Sequence, residues 1–324
     1  MLLKGVIDCP DLPLNVSRSA LQNDGFVKKI SDYITKKVAD KLSGMCKTDR
    51  ENYEKYWDDI SPFIKFGCIK DEKFCERMME YVLFKDLDGK YTTMNEYLEA
   101  QKPADGEAET DKAEEKADGE EKEVPKTTIY YVTDVVQQSQ YINMFREQKM
   151  NAVVLKDNID NPFISHLEAK NEKVKFQRID ADVTDSMKEE VSEEELKGET
   201  DALTALFRKA LNNDKLEVKV EKLKNVNVSS MVTLSEENRR MQDMMKMYNM
   251  YGMDPSMFGT TTTLVLNANN ALVKYLFENP EGEHSNMICE QLYDLAMISH
   301  QPLSPEAMTK FVNRSNEIMM LLTK

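Results

Sequence analysis

The sequence predicts a multi-domain protein of mixed α+β and α/β architecture. Its 324 residues are more than one compact domain usually holds. Two acidic segments, residues 103–123 with a net charge of −7 and residues 182–199 with a net charge of −6, interrupt sequence whose apolar residues recur at helix and strand spacings. Such segments are typical of boundaries between folded blocks. The expected division is 1–102, 103–125, 126–181, 182–200 and 201–324, of which the second and fourth parts are the acidic ones.

The first block is predicted to be mainly a helical connector. A short strand at residues 2–8 opens it, and three helices follow, the second over residues 49–65 and the third over residues 72–84. Thr93 and Glu96 have the spacing of a capping box, which predicts a fourth, short helix. In the first helix apolar residues recur every three or four positions and mark one apolar face. They are Phe26, Val27, Ile30, Ile34, Val38 and Leu42.

The second block is predicted to be a small three-layer α/β/α unit with a parallel sheet. Apolar and β-branched runs alternate with helical spacings in the order strand, helix, strand, helix, strand. This order places helices on the faces of a parallel sheet. The elements are expected at 128–132, 139–149, 152–155, 162–170 and 174–179.

Nucleotide binding is a frequent function of such a unit, yet this sequence lacks the glycines that it needs. None of the 11 glycines forms GxGxxG or GxxxxGK[ST], and the turn after the first strand is Thr133-Asp134-Val135. Side chains at these positions keep the backbone from approaching a pyrophosphate closely. A structural or protein-contacting role is therefore expected, with small-ligand binding as the alternative.

The third block is predicted to be an α+β domain. Ser235 and Ser304 are N-cap residues for two of its helices, and Pro305 takes the first helical position of the last one. The helices are expected at 201–211, 236–251, 271–278, 283–300 and 304–322, and the strands at 216–220, 231–234 and 262–266.

The charge distribution and the cysteines limit the possible partners. The two acidic segments hold −13 of the net charge of −15. The sequence has no basic patch with interleaved aromatic residues, so nucleic-acid binding is not expected. It also has neither a run of 18 apolar residues nor the layout of a signal peptide, so no membrane partner is expected. Five cysteines without a CxxC pair predict reduced thiols and no metal site. We expect a cytoplasmic protein whose first acidic segment is disordered and whose second is an exposed helix or a connector.

A methionine-rich segment, residues 241–257, is the most unusual local composition. It contains 7 of the 21 methionines, with aromatic residues between them. Methionine fills irregular cores, and flexible methionine surfaces also bind dissimilar apolar partners. Composition leaves both interpretations open. The residues that would contact a partner are Met241, Met244, Met245, Met247, Tyr248, Met250, Tyr251 and Met253.

The last two predicted helices carry more apolar residues than they can bury against each other. Pairing with the same helices of a second copy would form a four-helix bundle with twofold symmetry. Packing back on the parent domain explains the pattern equally well. The residues concerned are Ile288, Leu292, Leu295, Met308, Phe311, Val312, Ile318, Met319 and Leu322.

A proline-bounded loop near the start of the chain contains the two residues that could act in catalysis. Arg18 and Gln22 are four positions apart and share a face if a helix has begun there. An arginine in such a place can reach a phosphate and stabilise a transferring phosphoryl group. The signal is weak alone, and no other combination of residues forms a self-contained active site.

Three longer motifs resemble the ninety-kilodalton heat-shock chaperones, and the last two look like the bacterial members of that family. They are GVIDCPDLPLNVSRSALQ, YEKYWDDISPFIKFGCIKDEKF and TTTLVLNANNALVKYLFE, and the resemblance extends over the whole chain apart from the acidic insert. It implies that the first block is the end of the middle domain's large layer plus a helical connector. The second block would be the small middle subdomain, and the third a C-terminal dimerisation and client-contact domain.

The resemblance also implies roles for the residues named above. Arg18 and Gln22 match the family positions that reach the ATP γ-phosphate, although Ser19-Ala20-Leu21 departs from the usual acidic residue and methionine. The methionine-rich segment occupies the place of a helix that contacts unfolded clients, and the terminal helices that of the dimer bundle. The family's ATP-binding domain is not within these residues, so ATP and magnesium are expected only for a full-length parent, and this chain alone is expected not to hydrolyse ATP. A dimeric scaffold without client binding is the alternative function.

Overall fold

A computed structural model of the protein describes most of the three predicted blocks. Several predictions lie outside the described residues: the strand at 2–8, Arg18 and Gln22, the insert at 103–125 and the methionine-rich segment. The chain divides into two compact units. The described residues are 25–100, 126–182, 187–189, 191–234, 240 and 262–323.

The first unit, which comprises residues up to Leu83 and Tyr91–Lys102, is helical as predicted. Its core contains Tyr53 and Trp57, whose ring centroids lie 5.4 Å apart. The predicted capping box is confirmed, because the Thr93 N–H donates to Glu96 Oε2 at 2.7 Å and the Glu96 N–H donates to Thr93 Oγ1 at 3.2 Å. The elements are α1 (Gly25–Thr48), α2 (Arg50–Lys70), α3 (Glu72–Met78), a 3₁₀ turn (Met79–Tyr81), β2 (Tyr91–Thr93) and α4 (Met94–Ala100).

The apolar spacing predicted helix α1 correctly. Phe26, Ile34 and Val38 of its apolar face are exposed, and the buried residues of α1 are Ala39 and Cys46. One prediction for this region is wrong, because the third helix was expected to continue to residue 84. It ends earlier, and β1 (Leu83–Asp86) follows and pairs with β4. A turn with Gly89 at φ 81° comes next, and the Asp86 N–H donates to the Lys90 carbonyl at 2.8 Å across it.

The second unit begins with a mixed sheet in which the strands lie in the order β1, β4, β3, β5. The predicted parallel pairing is confirmed for β3 with both of its neighbours, whereas β1 adds an antiparallel strand through Lys85 and Asp86. The prediction of a purely parallel sheet is therefore corrected to a mixed one. The elements are β3 (Thr127–Val132), α5 (Ser139–Glu147), β4 (Val153–Val154), α6 (Asp160–Lys170) and β5 (Val174–Arg178).

The rest of the second unit is α+β, as predicted. The strands lie in the order β6, β8, β7, with β6 parallel and β7 antiparallel to β8. Ser304 accepts a hydrogen bond from the Ala307 N–H at 3.2 Å, so its predicted N-cap is confirmed. The elements are α7 (Glu193–Leu211), β6 (Glu217–Glu221), β7 (Ser230–Thr233), β8 (Thr263–Asn267), α8 (Ala271–Glu278), α9 (Ser285–His300) and α10 (Pro305–Leu321).

Part of the second acidic segment packs into the core. Met187 and Leu196 are buried, and the Glu189 N–H donates to the Lys222 carbonyl at 2.8 Å. Ser192 caps α7, which begins eight residues before the helix that the sequence predicts. The described part of this acidic segment is therefore attached to the domain through its buried apolar residues, because burial of apolar side chains favours an ordered chain.

Asn267, at the end of β8, holds the loop between β6 and β7. The Asn267 side chain is fully buried, and it donates to the carbonyls of Asn225 and Val228 at 3.0 and 2.7 Å. Its oxygen accepts from the backbone N–H groups of Leu223 and Asn269, each at 3.0 Å. Four hydrogen bonds satisfy this amide completely. Asn269 and Asn270 add to the attachment, because their side-chain amides donate to the carbonyls of Leu223 and Val226 at 3.1 and 2.8 Å.

Candidate functional site: the terminal helix hairpin

The terminal hairpin, formed by α9 and α10, is the candidate site that the structure describes most fully. One stripe of α9 is buried in the domain core, and the Ser230 hydroxyl donates to the Leu292 carbonyl at 2.8 Å across it. Burial raises the pKa of the Cys289 thiol to about 12, with the neighbouring Glu290 charge adding to the effect. The inner face of α9 is therefore fixed to the core. Its buried residues are Ser285, Cys289, Leu292, Ala296 and His300.

The second helix of the hairpin is held by an arginine rather than by an apolar seam. Arg314 is the only residue of α10 that is buried. Its guanidinium donates to Gln291 Oε1 at 2.9 Å and to Glu290 Oε2 at 2.8 Å, and it forms an ion pair with Asp294. Ser315 adds a contact, because its hydroxyl accepts from Gln291 at 3.1 Å. The Arg314 cluster, made of these residues, fixes α10 on α9.

The apolar residues of α10 consequently remain at the surface. The spacing of Met308, Val312 and Met319 places them on one side of the helix, and they are 40, 47 and 55% exposed. Leu322, just beyond the helix, is 83% exposed. Contiguous exposed apolar surface of this kind is uncommon on soluble proteins and is typical of interaction sites.

The structure divides the residues that the sequence grouped as a dimer face. Leu292 lies in the domain's own core, and Ile288 packs against that core. Leu295 faces outward and is exposed. Phe311 and Ile318 are half-buried. The outward set is therefore Leu295, Met308, Val312, Met319 and Leu322, together with Met320 and Leu321, which the sequence analysis did not select.

The other predicted site residues cannot be placed from the described part of the chain. Arg18, Gln22 and the methionines from Met241 to Met253 lie outside it. Arg240, immediately before Met241, is described and contacts α6. Sequence reasoning missed Arg314. The available signal was a single arginine within an apolar helix, opposite two acidic residues four positions apart.

The crevice where a doubly wound unit usually binds its ligand is occupied by the end of α9. Ligands of such sheets lie beyond the carboxyl ends of the strands, at the point where the connections reverse direction, here between β3 and β5. Gln137, in the loop after β3, donates to the His300 carbonyl at 2.6 Å. The His300 ring lies 3.9 Å from Asp180, which follows β5 and pairs with Arg178 at 2.8 Å. These contacts, like the missing glycines, are consistent with the structural role that the sequence predicts for this unit.

Neither a metal cluster nor a membrane span is found among the described residues. No three His, Cys, Asp or Glu side chains there are grouped so that they would hold a metal ion. In the same part of the chain, every helix is too short or too polar to cross a bilayer.

Comparison with known proteins defines the class of protein. A sequence model of the family described as "Hsp90 protein" matches residues 1–323. Because the match covers nearly all of these residues, the chain belongs to the Hsp90 family. The resemblance drawn from the three sequence motifs is thereby confirmed.

Several bacterial proteins are similar to this chain. The chain is 39% identical to "Chaperone protein HtpG" of Bacteroides thetaiotaomicron over 291 residues, which are 87% of this chain and 40% of that protein. It is 37% identical to the protein of the same name from Porphyromonas gingivalis, over 84% of this chain and 38% of that one. The chain is 25% identical to the protein of the same name from Colwellia psychrerythraea, over 99% of this chain and 47% of that protein. The chain thus spans about two fifths of the length of the first two relatives.

Proposed function

We propose that the chain acts as part of an ATP-dependent molecular chaperone of the HtpG type, which dimerises and binds unfolded or partly folded proteins. Membership of the Hsp90 family and similarity to proteins named HtpG support the general activity. The observation that carries the dimer is the exposed apolar side of α10, a helix whose only buried side chain is Arg314. Two such hairpins, each supplying one apolar stripe, would complete a four-helix bundle.

Sedimentation of the full chain at several concentrations tests the dimer. Val312→Glu and Met319→Glu each place a charge in the proposed interface, and we expect dissociation constants at least tenfold above that of the unchanged chain. Asn313→Glu is the matched control, because Asn313 is exposed on the same helix but away from the stripe. A monomer at every concentration for the unchanged chain, or equal dissociation constants for all three variants, would contradict the proposal.

Client contact is assigned to the methionine-rich segment, on the strength of its composition and of its place in the family. Replacing Met244, Met247 and Met250 together by serine should abolish the suppression of aggregation of an unfolding test protein. The control removes exposed apolar area elsewhere, through Leu272→Ser with Phe277→Ser on α8. Equal loss of suppression in both variants would show that the segment has no special role. A dimer that never suppresses aggregation would favour the alternative of a scaffold.

ATP enters this proposal only for a full-length protein. Arg18 and Gln22 would there contact the ATP phosphates, with magnesium, as the family resemblance implies. We expect no ATP hydrolysis by the chain alone, measured as phosphate release. Turnover that is lost on Arg18→Ala would contradict this expectation, whereas turnover that survives the change would indicate a contaminating ATPase.

A further inference from the structure

Arg240 makes a bidentate contact with the α/β unit. Its Nη1 donates to Glu168 Oε2 at 2.6 Å and its Nη2 donates to Glu168 Oε1 at 3.1 Å. Nη2 also donates to the Phe176 carbonyl at 3.1 Å, and Nη1 to the Ser165 hydroxyl at 3.3 Å. The partners belong to α6 and β5, more than sixty residues earlier in the chain.

The contact lies at the edge of the sheet. β5 is the last strand in the order of the described sheet, so the outward N–H and C=O groups of Phe176 have no strand beside them there. Glu168 accepts the Phe176 N–H at 2.6 Å, and Arg240 donates to its carbonyl. The pair thus satisfies both backbone groups of one edge residue, and an unpaired edge is otherwise a place where another chain can add.

This ion pair differs from an ordinary surface pair. The side chains of Arg240 and Glu168 are only 25 and 21% exposed, whereas those of the Lys209–Glu281 pair are 63 and 84% exposed. A guanidinium matches a carboxylate with two parallel hydrogen bonds, which a lysine cannot form. Loss of this bidentate contact therefore costs far more of the free energy that attaches Arg240 to Glu168 than loss of an exposed pair costs at its own site, where the contribution is small.

We propose that Arg240 is a positioning residue, which fixes the chain directly before Met241 to the edge of the α/β unit. The inference rests on the proposed function, in which the methionine-rich segment contacts clients. Fixing the residue next to that segment to a folded sheet determines from which surface the segment starts. Sequence alone gives no hint of the contact, since Arg240 stands in a polar, charged stretch.

Limited trypsin digestion of the full chain tests the contact without any client. Trypsin must take the Arg240 guanidinium into its own specificity pocket, so cleavage of the Arg240–Met241 bond requires release from Glu168. Charge-assisted hydrogen bonds imply that Glu168→Gln speeds this cleavage about ten- to hundredfold. Arg240→Lys should speed it likewise, because it keeps the charge and a tryptic site but loses the bidentate contact. Glu281→Gln is the matched control and should leave the rate unchanged.

Suppression of aggregation by the same variants tests the positioning role. We expect Glu168→Gln and Arg240→Lys to reduce suppression with the melting temperature of the chain unchanged, and Glu281→Gln to have no effect. Faster cleavage with full suppression would overturn the proposal, and so would unchanged cleavage. If even the unchanged chain suppresses nothing while Glu168→Gln still speeds cleavage, then the proposed function fails, the positioning role fails with it, and the contact is purely structural.

Discussion

Replacing Arg314 by methionine should release α10 from α9 while leaving the domain core folded. Methionine has a similar length but no donors, so the variant removes the hydrogen bonds to Gln291 and Glu290 and the ion pair with Asp294. The two carboxylates then lie close together without a cation. Because α10 buries no other residue, the loss falls on the attachment of this helix.

The size of the effect follows from the exposure of the partners. Removing one member of a buried ion pair costs about 3–5 kcal/mol, since the remaining charge loses both its partner and its solvent. Asp294 is 14% exposed, but Glu290 is 42% exposed and regains water easily. We therefore expect a value below that range, about 2–3 kcal/mol, which shifts the equilibrium between attached and detached α10 by about 30- to 150-fold.

Hydrogen exchange read by mass spectrometry would measure this shift, with α9 as the internal reference. In Arg314→Met the amides of α10 should exchange faster by the stated factor, and the dissociation constant of the proposed dimer should rise. Adding Glu290→Gln and Asp294→Asn removes the uncompensated charges and should restore part of the protection. Equal exchange of α10 in the variant and the unchanged chain would refute the reasoning that the Arg314 cluster holds the helix.

Three further predictions concern the stability of the fold. Asn267→Asp should lower the free energy of unfolding in urea by about 3 kcal/mol or more, because a carboxylate oxygen would face the two backbone carbonyls that the buried amide now serves. Burial raises the pKa of Cys289 from 9.0 to about 12, so this thiol should resist iodoacetamide at pH 8 until urea unfolds the chain. The free energy of unfolding should decline as the pH rises above 9, because only the unfolded thiol ionises there. Partial burial opposes ionisation of Glu96, but hydrogen bonds from Thr93 and the charge of Arg50 lower its pKa overall, so its contribution is present above pH 4.5 and lost as the pH falls through the lower folded value. Glu96→Gln should remove that part of the acid dependence of unfolding, which circular dichroism measures. Full labelling of Cys289 in the native chain would contradict the prediction for the thiol, and an unchanged acid profile of Glu96→Gln would contradict the prediction for Glu96.

Local patterns predicted most of the secondary structure because the responsible interactions span few residues. The capping box of Thr93 and Glu96 and the cap at Ser304 join residues three apart, and both are found as predicted. The alternation of strands and helices from residue 126 onward likewise predicted the parallel order. β1 was missed because its four residues fit a helix as well as a strand, and because β4, with which it pairs, lies almost seventy residues later. The Asp88-Gly89 turn that follows β1 is a local hairpin signal that the sequence reasoning did not use.

The candidate site was predictable only in part, for a related reason. Apolar spacing indicated the exposed stripe of α10, but it cannot tell which of two apolar helices faces the domain core. Leu292 and Leu295 differ by three positions and look equivalent in the sequence, yet one is in the core and the other at the surface. Arg314 and Arg240 are single charges whose importance comes from carboxylates that the fold brings to them.

The end of α9 links the α/β unit to the proposed dimer contact. His300, its last residue, is held by Gln137 and lies beside Asp180 in the crevice of the sheet, while Arg314 fixes α10 to the same helix further along. Two sets of polar contacts therefore orient an interface on α10. The first holds α9 against the sheet, and the second holds α10 against α9. Hydrogen bonds and ion pairs have defined geometry, and leaving a buried charge such as that of Arg314 unpaired is costly, so these contacts favour one arrangement of the helices. At the crevice where other doubly wound proteins bind a ligand, the described residues thus place polar contacts to the terminal hairpin.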